Sequence, residues 1–212
     1  MWTIFNLVSK IIEIIFPNNC FVCHKKDITL CKTCLNSFKK SVDTPYLYIH
    51  SLYSFKDKNV KHIIHTIKYY HRRDLIVPLV RELVKELEED NSYKLMANGC
   101  ILVPIPMPTL RKYMRGYNQA EEIAKEIAKI YKLEMRNDIL IRFKNKKRQV
   151  TTKTRGERLA NQRNSFAVIS PVHDMNIILI DDVTTTGATL DEARKILLKN
   201  GAKSVSAVTL AH

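Results

Sequence analysis

The chain is 212 residues long and 45% of its residues are hydrophobic, which excludes an intrinsically disordered protein and predicts one well-buried core with a small additional segment. Lysine and arginine outnumber aspartate and glutamate by 35 to 21, giving a formal net charge of +14. This surplus favours a polyanionic partner, such as nucleic acid or a phosphorylated ligand. The alternative is a solvated basic surface with no binding role.

Apolar residues recur at helical spacing through residues 1–16 and predict a short amphipathic helix that docks on the protein. Lys10 and Glu13 interrupt this stretch, which is too short to span a bilayer and lacks the basic region and cleavage site of a signal peptide. A membrane-surface role for the helix is the alternative. We therefore expect a cytoplasmic protein with no transmembrane segment.

Four of the five cysteines form two pairs with CxxC spacing, Cys20 with Cys23 and Cys31 with Cys34. Disulfides are unfavoured in a reducing cytoplasm, whereas two such turns can direct four thiolates at one metal ion. The pattern predicts a closed, structural Zn²⁺ site, with an iron site as the alternative. The fifth cysteine, Cys100, precedes a strand and is expected to be a small buried apolar residue.

Strands and helices alternate along the rest of the chain and predict an α/β fold with a mostly parallel sheet flanked by helices. Residues 1–42 would form the N-terminal helix and zinc finger, and residues 43–212 the main domain. The predicted strands are residues 46–55, 101–106, 139–143, 166–169, 176–180 and 205–210. The predicted helices are residues 60–70, 75–87, 118–131 and 189–200, with a weaker one at 155–162 and basic loops at 109–117 and 144–154.

The hydrophobic strand at residues 177–180 leads into Asp181 and Asp182, then into a hydroxyl-rich bend and a helix. Ligands of open α/β sheets bind beyond the carboxyl ends of the strands, and a helix N-terminus attracts phosphate. Two carboxylates would repel that phosphate, but they suit ribose hydroxyls or Mg²⁺ beside it. The order of these groups predicts a site for a ribose 5-phosphate; the alternative is a tight turn with a capping threonine.

The whole chain resembles the ComF family of competence-associated proteins, whose main domain is similar to type I phosphoribosyltransferases. The phosphate-loop motif alone indicates only the transferase superfamily, whereas the cysteine pairs together with Arg-Gly-Tyr-Asn are specific to the family. The motifs that carry the resemblance are the four cysteines and residues 67–69, 103–106, 115–120, 158–161 with Phe166, and 181–189.

The resemblance implies that Asp181 and Asp182 bind the ribose hydroxyls of phosphoribosyl pyrophosphate (PRPP) and Mg²⁺. It implies that Arg111, Lys112 or Arg115 faces the pyrophosphate, and that residues 144–154 match the flexible hood of transferases, although Val150 stands where the family often has glutamine. Lys68, which lies in a family motif, joins Asp181, Asp182 and Arg115 as a catalytic candidate. The residues implied to hold the 5-phosphate are Thr184, Thr185, Thr186, Gly187, Ala188 and Thr189.

The resemblance also implies a role in natural transformation, in which single-stranded DNA and other competence proteins are partners. Two basic, aromatic segments, residues 69–73 and 112–117, are candidate DNA-binding patches. The simpler expectation for Tyr69 and Tyr70 is one core and one surface position on a helix. Three hypotheses remain: a DNA-handling competence factor that binds PRPP, an active phosphoribosyltransferase with an unidentified acceptor, and a PRPP sensor that docks a partner through the zinc finger.

Overall fold

A computed structural model describes residues 19–42, 44, 46–89, 99–143 and 165–212 of the chain. The predicted N-terminal amphipathic helix, the basic loop at 144–154 and the weak helix at 155–162 lie outside these described residues. The chain divides into two compact units, Met1–Phe38 and Lys39–His212. Within the described residues, no helix has both the length and the apolar composition that crossing a bilayer requires.

The described part of the first unit, residues 19–38, consists of two cysteine-bearing turns and one short helix. The backbone N–H of His24 donates to the carbonyl oxygen of Cys20 over 2.8 Å and closes the first turn. The second turn is part of helix α1, Lys32–Ser37, which begins directly after Cys31. The buried apolar residues of this segment are Cys20, Leu30, Cys31, Cys34, Leu35 and Phe38.

The second unit is built on a five-stranded sheet in the order β1-β7-β6-β2-β3, in which every neighbouring pair is parallel. This sheet confirms the predicted α/β class. A separate antiparallel pair consists of β4, which precedes residues 144–164, and β5, which follows them. The strands are β1 Ile49–Tyr53, β2 Cys100–Pro104, β3 Glu134–Met135, β4 Leu140–Arg142, β5 Phe166–Val168, β6 Asn176–Val183 and β7 Ser204–Ala211.

Both faces of the central strand β6 are covered, because Ile177, Ile178, Leu179 and Ile180 are all buried although alternate side chains point to opposite faces. Ile177 and Leu179 share a core cluster with Leu190 and Leu197 of the last helix. Within the described residues, the remaining α-helices are α2 Lys58–Tyr69, α3 Ile76–Glu89, α4 Thr109–Arg115, α5 Gln119–Tyr131 and α6 Ala188–Lys199, and Arg73–Leu75 form a short 3-10 helix.

Two of these helices begin at residues that suit capping. The side chain of Asp57 accepts hydrogen bonds from the backbone N–H groups of Asn59, at 2.8 Å, and Val60, at 3.3 Å, at the start of α2. The side chain of Asn118 accepts from the N–H of Ala120 at 3.2 Å and caps the start of α5. These caps set the first residues of helix α2, which carries Lys68, and of helix α5, which follows Asn118.

The sequence prediction was wrong at residues 109–117, which form helix α4 followed by a left-handed Gly116 with φ of 70° rather than a loop. None of the residues of α4 is buried, so the segment has no apolar stripe from which periodicity could be recognised. Cys100 is also half-exposed rather than buried, since it stands at the first position of β2. Strand β6 extends to Val183 and therefore includes both aspartates.

Candidate functional site

A cavity of about 330 Å³ lies beyond the carboxyl ends of β2 and β6. Six residues predicted from the sequence line it, and they come from four separate parts of the chain: Lys68, Arg111, Arg115, Asp181, Asp182 and Thr189. The turn after β2 forms one wall through Pro106, Met107 and Pro108. Parallel strands place their carboxyl ends at one edge of the sheet, which is why residues so distant in sequence meet there.

The two aspartates of β6 form an uneven acid pair. Lys68 Nζ lies 3.0 Å from Asp182 Oδ2, so the charge of Asp182 is partly compensated. Asp181 accepts a hydrogen bond from the backbone N–H of Asp182 at 2.8 Å. Burial, together with the neighbouring Asp182 carboxylate, nevertheless raises the pKa of Asp181 to about 7. The pair therefore favours a proton, a metal cation or hydroxyl donors at this position.

Arginine side chains supply positive charge on the other sides of the cavity. Arg115 donates to the Tyr69 hydroxyl at 3.1 Å, and its guanidinium lies 4.9 Å from the centre of the Tyr69 ring. Its other terminal nitrogen is 3.4 Å from Oε1 of Gln119. These contacts hold a charged, donor-rich group at the edge of the cavity without neutralising it.

Arg142, at the end of β4, is a lining residue that the sequence analysis missed. Its guanidinium lies 5.1 Å from the centre of the Phe166 ring, and burial lowers the pKa of Arg142 despite the opposing effect of Asp181. Arg142 ends a predicted apolar strand beside a run of basic residues, so its position in the chain carried no distinct signal. Asn118 and Gln119, which begin the α5 region, also line the cavity.

The bend between β6 and α6 contains the residues predicted to hold a phosphate. Gly187 precedes α6 with φ of 72°, a left-handed conformation that glycine adopts without strain. The N–H of Thr184 donates to the carbonyl of Ala211 at 3.0 Å, which anchors the bend to β7. Thr184 is buried, whereas Thr185 and Thr186 are exposed. The bend therefore presents hydroxyls and the N-terminus of a twelve-residue helix to an anion.

The four paired cysteines of the first unit converge, with all four sulfur atoms within 4.8 Å of one another. Cys20 Sγ lies 3.8 Å from Cys34 Sγ, and Cys23 Sγ lies 3.6 Å from Cys31 Sγ. Four thiolates about 2.3 Å from a central ion would be about 3.8 Å apart in a tetrahedron. Burial opposes ionisation of Cys20, but nearby backbone N–H groups outweigh it and lower its pKa to about 6. The cluster can therefore hold a metal ion.

Comparison with known proteins gives consistent matches. A model of the phosphoribosyl transferase domain matches residues 113–212. Competence protein ComFC of Bacillus subtilis is 41% identical over 111 residues, covering 52% of this chain and 43% of that protein. Competence protein F of Haemophilus influenzae is 30% identical over 113 residues, covering 52% of this chain and 49% of that protein. The chain is therefore similar to competence proteins of the ComF family.

A further relative is DNA utilization protein YhgH of Salmonella typhi, which is 27% identical over 143 residues. That alignment covers 68% of the chain and 63% of the relative, so the chain spans less than two thirds of the length of this relative. The matched residues include α5, both aspartates of β6, the whole bend before α6, α6 itself and β7.

Not every predicted site residue lines the cavity. Lys112 Nζ lies 3.8 Å from Glu121 and is not among the lining residues. Of the loop residues, Thr189 lines this cavity and Thr185 lines a second one. The other loop residues, Thr184, Thr186, Gly187 and Ala188, form the bend between β6 and α6.

The exposure of the aromatic side chains in the two basic patches differs from the prediction. Tyr69 and Tyr70 are 56% and 66% exposed, so the expectation of one core and one surface position was wrong. Tyr113 is 87% exposed, whereas Tyr117 is only 4% exposed and donates its hydroxyl to the carbonyl of Ile67. Tyr117 also lies under the guanidinium of Arg73, at 4.1 Å, and is therefore a packing residue that cannot stack on a base.

Proposed function

We propose that the cavity binds PRPP together with Mg²⁺, and that the chain uses this ligand while handling single-stranded DNA during natural transformation. The observation that carries the PRPP proposal is the meeting of an acid pair with several cationic side chains in one cavity of about 330 Å³. Anionic groups at both ends of a ligand, separated by a hydroxyl-bearing sugar, match that distribution of charge.

In the proposed complex, each part of PRPP contacts a different part of the cavity or of the bend that follows β6. The bend before α6 holds the 5-phosphate through backbone N–H groups and threonine hydroxyls. Asp181 and Asp182 accept hydrogen bonds from the ribose hydroxyls, and Lys68 orients Asp182. Mg²⁺, when bound beside this acid pair, would neutralise charge on the pyrophosphate. Arg111 and Arg115, together with the newly identified Arg142, face the pyrophosphate from the remaining sides.

Titration calorimetry with PRPP tests this proposal. We expect Mg²⁺-dependent binding to the unaltered protein and a loss of at least about tenfold in affinity for Asp182→Asn, which removes a charged acceptor from the cavity. Asp174→Asn is the matched control, because Asp174 is exposed and does not line the cavity. Equal PRPP affinity for both variants would contradict the proposed site.

The DNA-handling part of the proposal is supported by exposed aromatic rings close to basic residues in sequence. Tyr69, Tyr70 and Tyr113 expose more than half of their surface, and Arg72, Arg73, Lys112 and Arg115 lie in the same two segments. Bases stack on such rings while lysine and arginine contact phosphates. The names of the relatives, which refer to competence and to DNA utilization, agree with this role.

We further propose that the four-cysteine cluster holds a structural Zn²⁺ ion. Four thiolates leave no open coordination position, so the ion would stabilise the fold of the short segment around it. A segment of this length buries too little apolar surface to fold well without such support. A role as a docking surface for other competence proteins is compatible with this assignment.

An active phosphoribosyltransferase is the second candidate, because Arg111, Arg115 and Arg142 around the cavity could stabilise a departing pyrophosphate. In that reaction the bond between the anomeric carbon and the pyrophosphate oxygen breaks, and an acceptor nucleophile forms the new bond to the carbon. Pyrophosphate release, measured with nucleobases and ammonia as acceptors, separates the two candidates. Binding without acceptor-dependent release supports the ligand-binding function alone.

A further inference from the structure

A second, larger cavity of about 620 Å³ lies near the carboxyl ends of β1 and β7. The lining residues that matter here are Lys40, Phe55, Lys56, Lys61, Thr185 and His212. The wall is held by backbone hydrogen bonds: the N–H of Phe55 donates to the carbonyl of His212 at 2.7 Å, and the N–H of His212 donates to the carbonyl of Tyr53 at 2.9 Å. Its volume falls in the range of small-molecule sites.

The cavity has an excess of positive charge. Lys40 forms ion pairs with Glu86 and with Glu82, and its Nζ lies 3.9 Å from Oε1 of Glu82. Lys56 and Lys61 are both exposed, and neither forms an ion pair with any carboxylate of the described residues. Two uncompensated ammonium groups facing one cavity attract an anion, and lysine is a common ligand of phosphate.

An apolar surface accompanies these charges. Phe55 is partly exposed within the cavity, and Val42, which also lines it, is 89% exposed. Thr185 and His212 also line the cavity, and both residues carry hydrogen-bonding groups. A ligand that fits this lining carries a phosphate at one end and a flat, partly apolar ring at the other, which describes a nucleotide.

The second cavity adjoins the phosphate bend. His212 Nε2 lies 3.1 Å from the carbonyl oxygen of Thr185, and the N–H of Thr184 is bonded to Ala211, the preceding residue of the chain. Thr185 lines the second cavity, whereas Asp182 and Thr189 line the first. The geometry points to a mononucleotide-binding site, separate from the acid pair, with Lys56 and Lys61 on the phosphate and Phe55 against the base.

Adenosine 5′-monophosphate is the probe, and adenosine and inorganic phosphate are its two halves. Calorimetry should show that the nucleotide binds more tightly than either half. Lys56→Gln and Lys61→Gln should each weaken nucleotide binding about tenfold, because each removes a charged contact to the phosphate. Lys58→Gln is the matched control, since Lys58 is an exposed lysine of the same segment that does not line the cavity. It should leave the affinity unchanged.

Amide NMR shifts give a second readout that does not depend on any substitution. We expect the nucleotide to shift the amide signals of Phe55, Thr185 and His212, and to do so equally in Asp182→Asn. Absence of binding would overturn the proposal. So would nucleotide binding that survives both lysine substitutions, or that Asp182→Asn abolishes, because the nucleotide would then occupy the first cavity. Failure of PRPP binding alone would refute the proposed function and leave this site intact.

Discussion

Replacing Asp181 by asparagine should make the ligand-free protein more stable at alkaline pH. Burial raises the pKa of Asp181 from 3.8 to about 7, so the folded state binds a proton at this position more tightly than the unfolded state does. The protonated group favours folding at low pH. As the pH rises from about 4 to about 7, the folded protein must accommodate a poorly solvated charge, and stability falls.

The size of this effect follows from the pKa difference. A difference of about 3 pKa units corresponds to about 4 kcal/mol at pH 8. Asp181 keeps part of its surface open to the cavity, and solvent there reduces the cost, so we expect about half of this value. Asparagine stays neutral and can still accept the 2.8 Å hydrogen bond from the N–H of Asp182. The variant should therefore gain about 2 kcal/mol at pH 8 and less than about 1 kcal/mol at pH 5.

Urea denaturation of both proteins at pH 5, 6.5 and 8, in metal-free buffer, measures this gain. Asp182→Asn is the comparison, because it breaks the 3.0 Å ion pair with Lys68 and should not stabilise the protein. A gain for Asp181→Asn that does not depend on pH, or a loss of stability at pH 8, would refute the reasoning. The expected gain would show that this carboxylate is kept at the expense of stability, as is common at functional sites.

Three further predictions concern the phosphate bend, the cysteines and the exposed tyrosines. Gly187→Ala should lose about 1 kcal/mol of stability and most PRPP affinity, whereas Gly201→Ala, also at positive φ, should lose stability but keep PRPP binding; calorimetry and melting curves distinguish them. Elemental analysis should find one zinc ion per chain and a marked loss of zinc in Cys34→Ser; full zinc content in that variant would exclude the four-cysteine site. Tyr70→Ala should weaken binding to single-stranded DNA about tenfold in fluorescence titrations, and an affinity that does not change with salt would refute the basic DNA surface.

The fold was largely predictable because its core elements have strong patterns. The continuous apolar run before Asp181 could only suit a buried strand, and helices α2, α3 and α5 have apolar faces that repeat every three to four residues. Helix α4 could not be recognised from apolar periodicity, because none of its residues is buried. Only the helix propensity of its residues favours this helix. The two-residue strand β3 is too short to carry any pattern.

The site was predictable where its residues are neighbours in sequence and unpredictable where folding brings them together. Asp181, Asp182 and the following bend form one continuous motif. Lys68 could be connected with them only through the family resemblance, since more than a hundred residues separate it from Asp182. Arg142 reaches the same cavity from a separate antiparallel pair, and the second cavity assembles from lysines near β1 and a threonine of the bend. Local sequence patterns do not show which distant residues folding brings together.

A crystal structure of the protein soaked with PRPP and Mg²⁺ tests the central claim most directly. The account predicts density for the 5-phosphate in the bend before α6, ribose hydroxyls within hydrogen-bonding distance of Asp181 and Asp182, and the pyrophosphate among Arg111, Arg115 and Arg142. An empty first cavity at saturating ligand, or PRPP bound elsewhere on the chain, would contradict it.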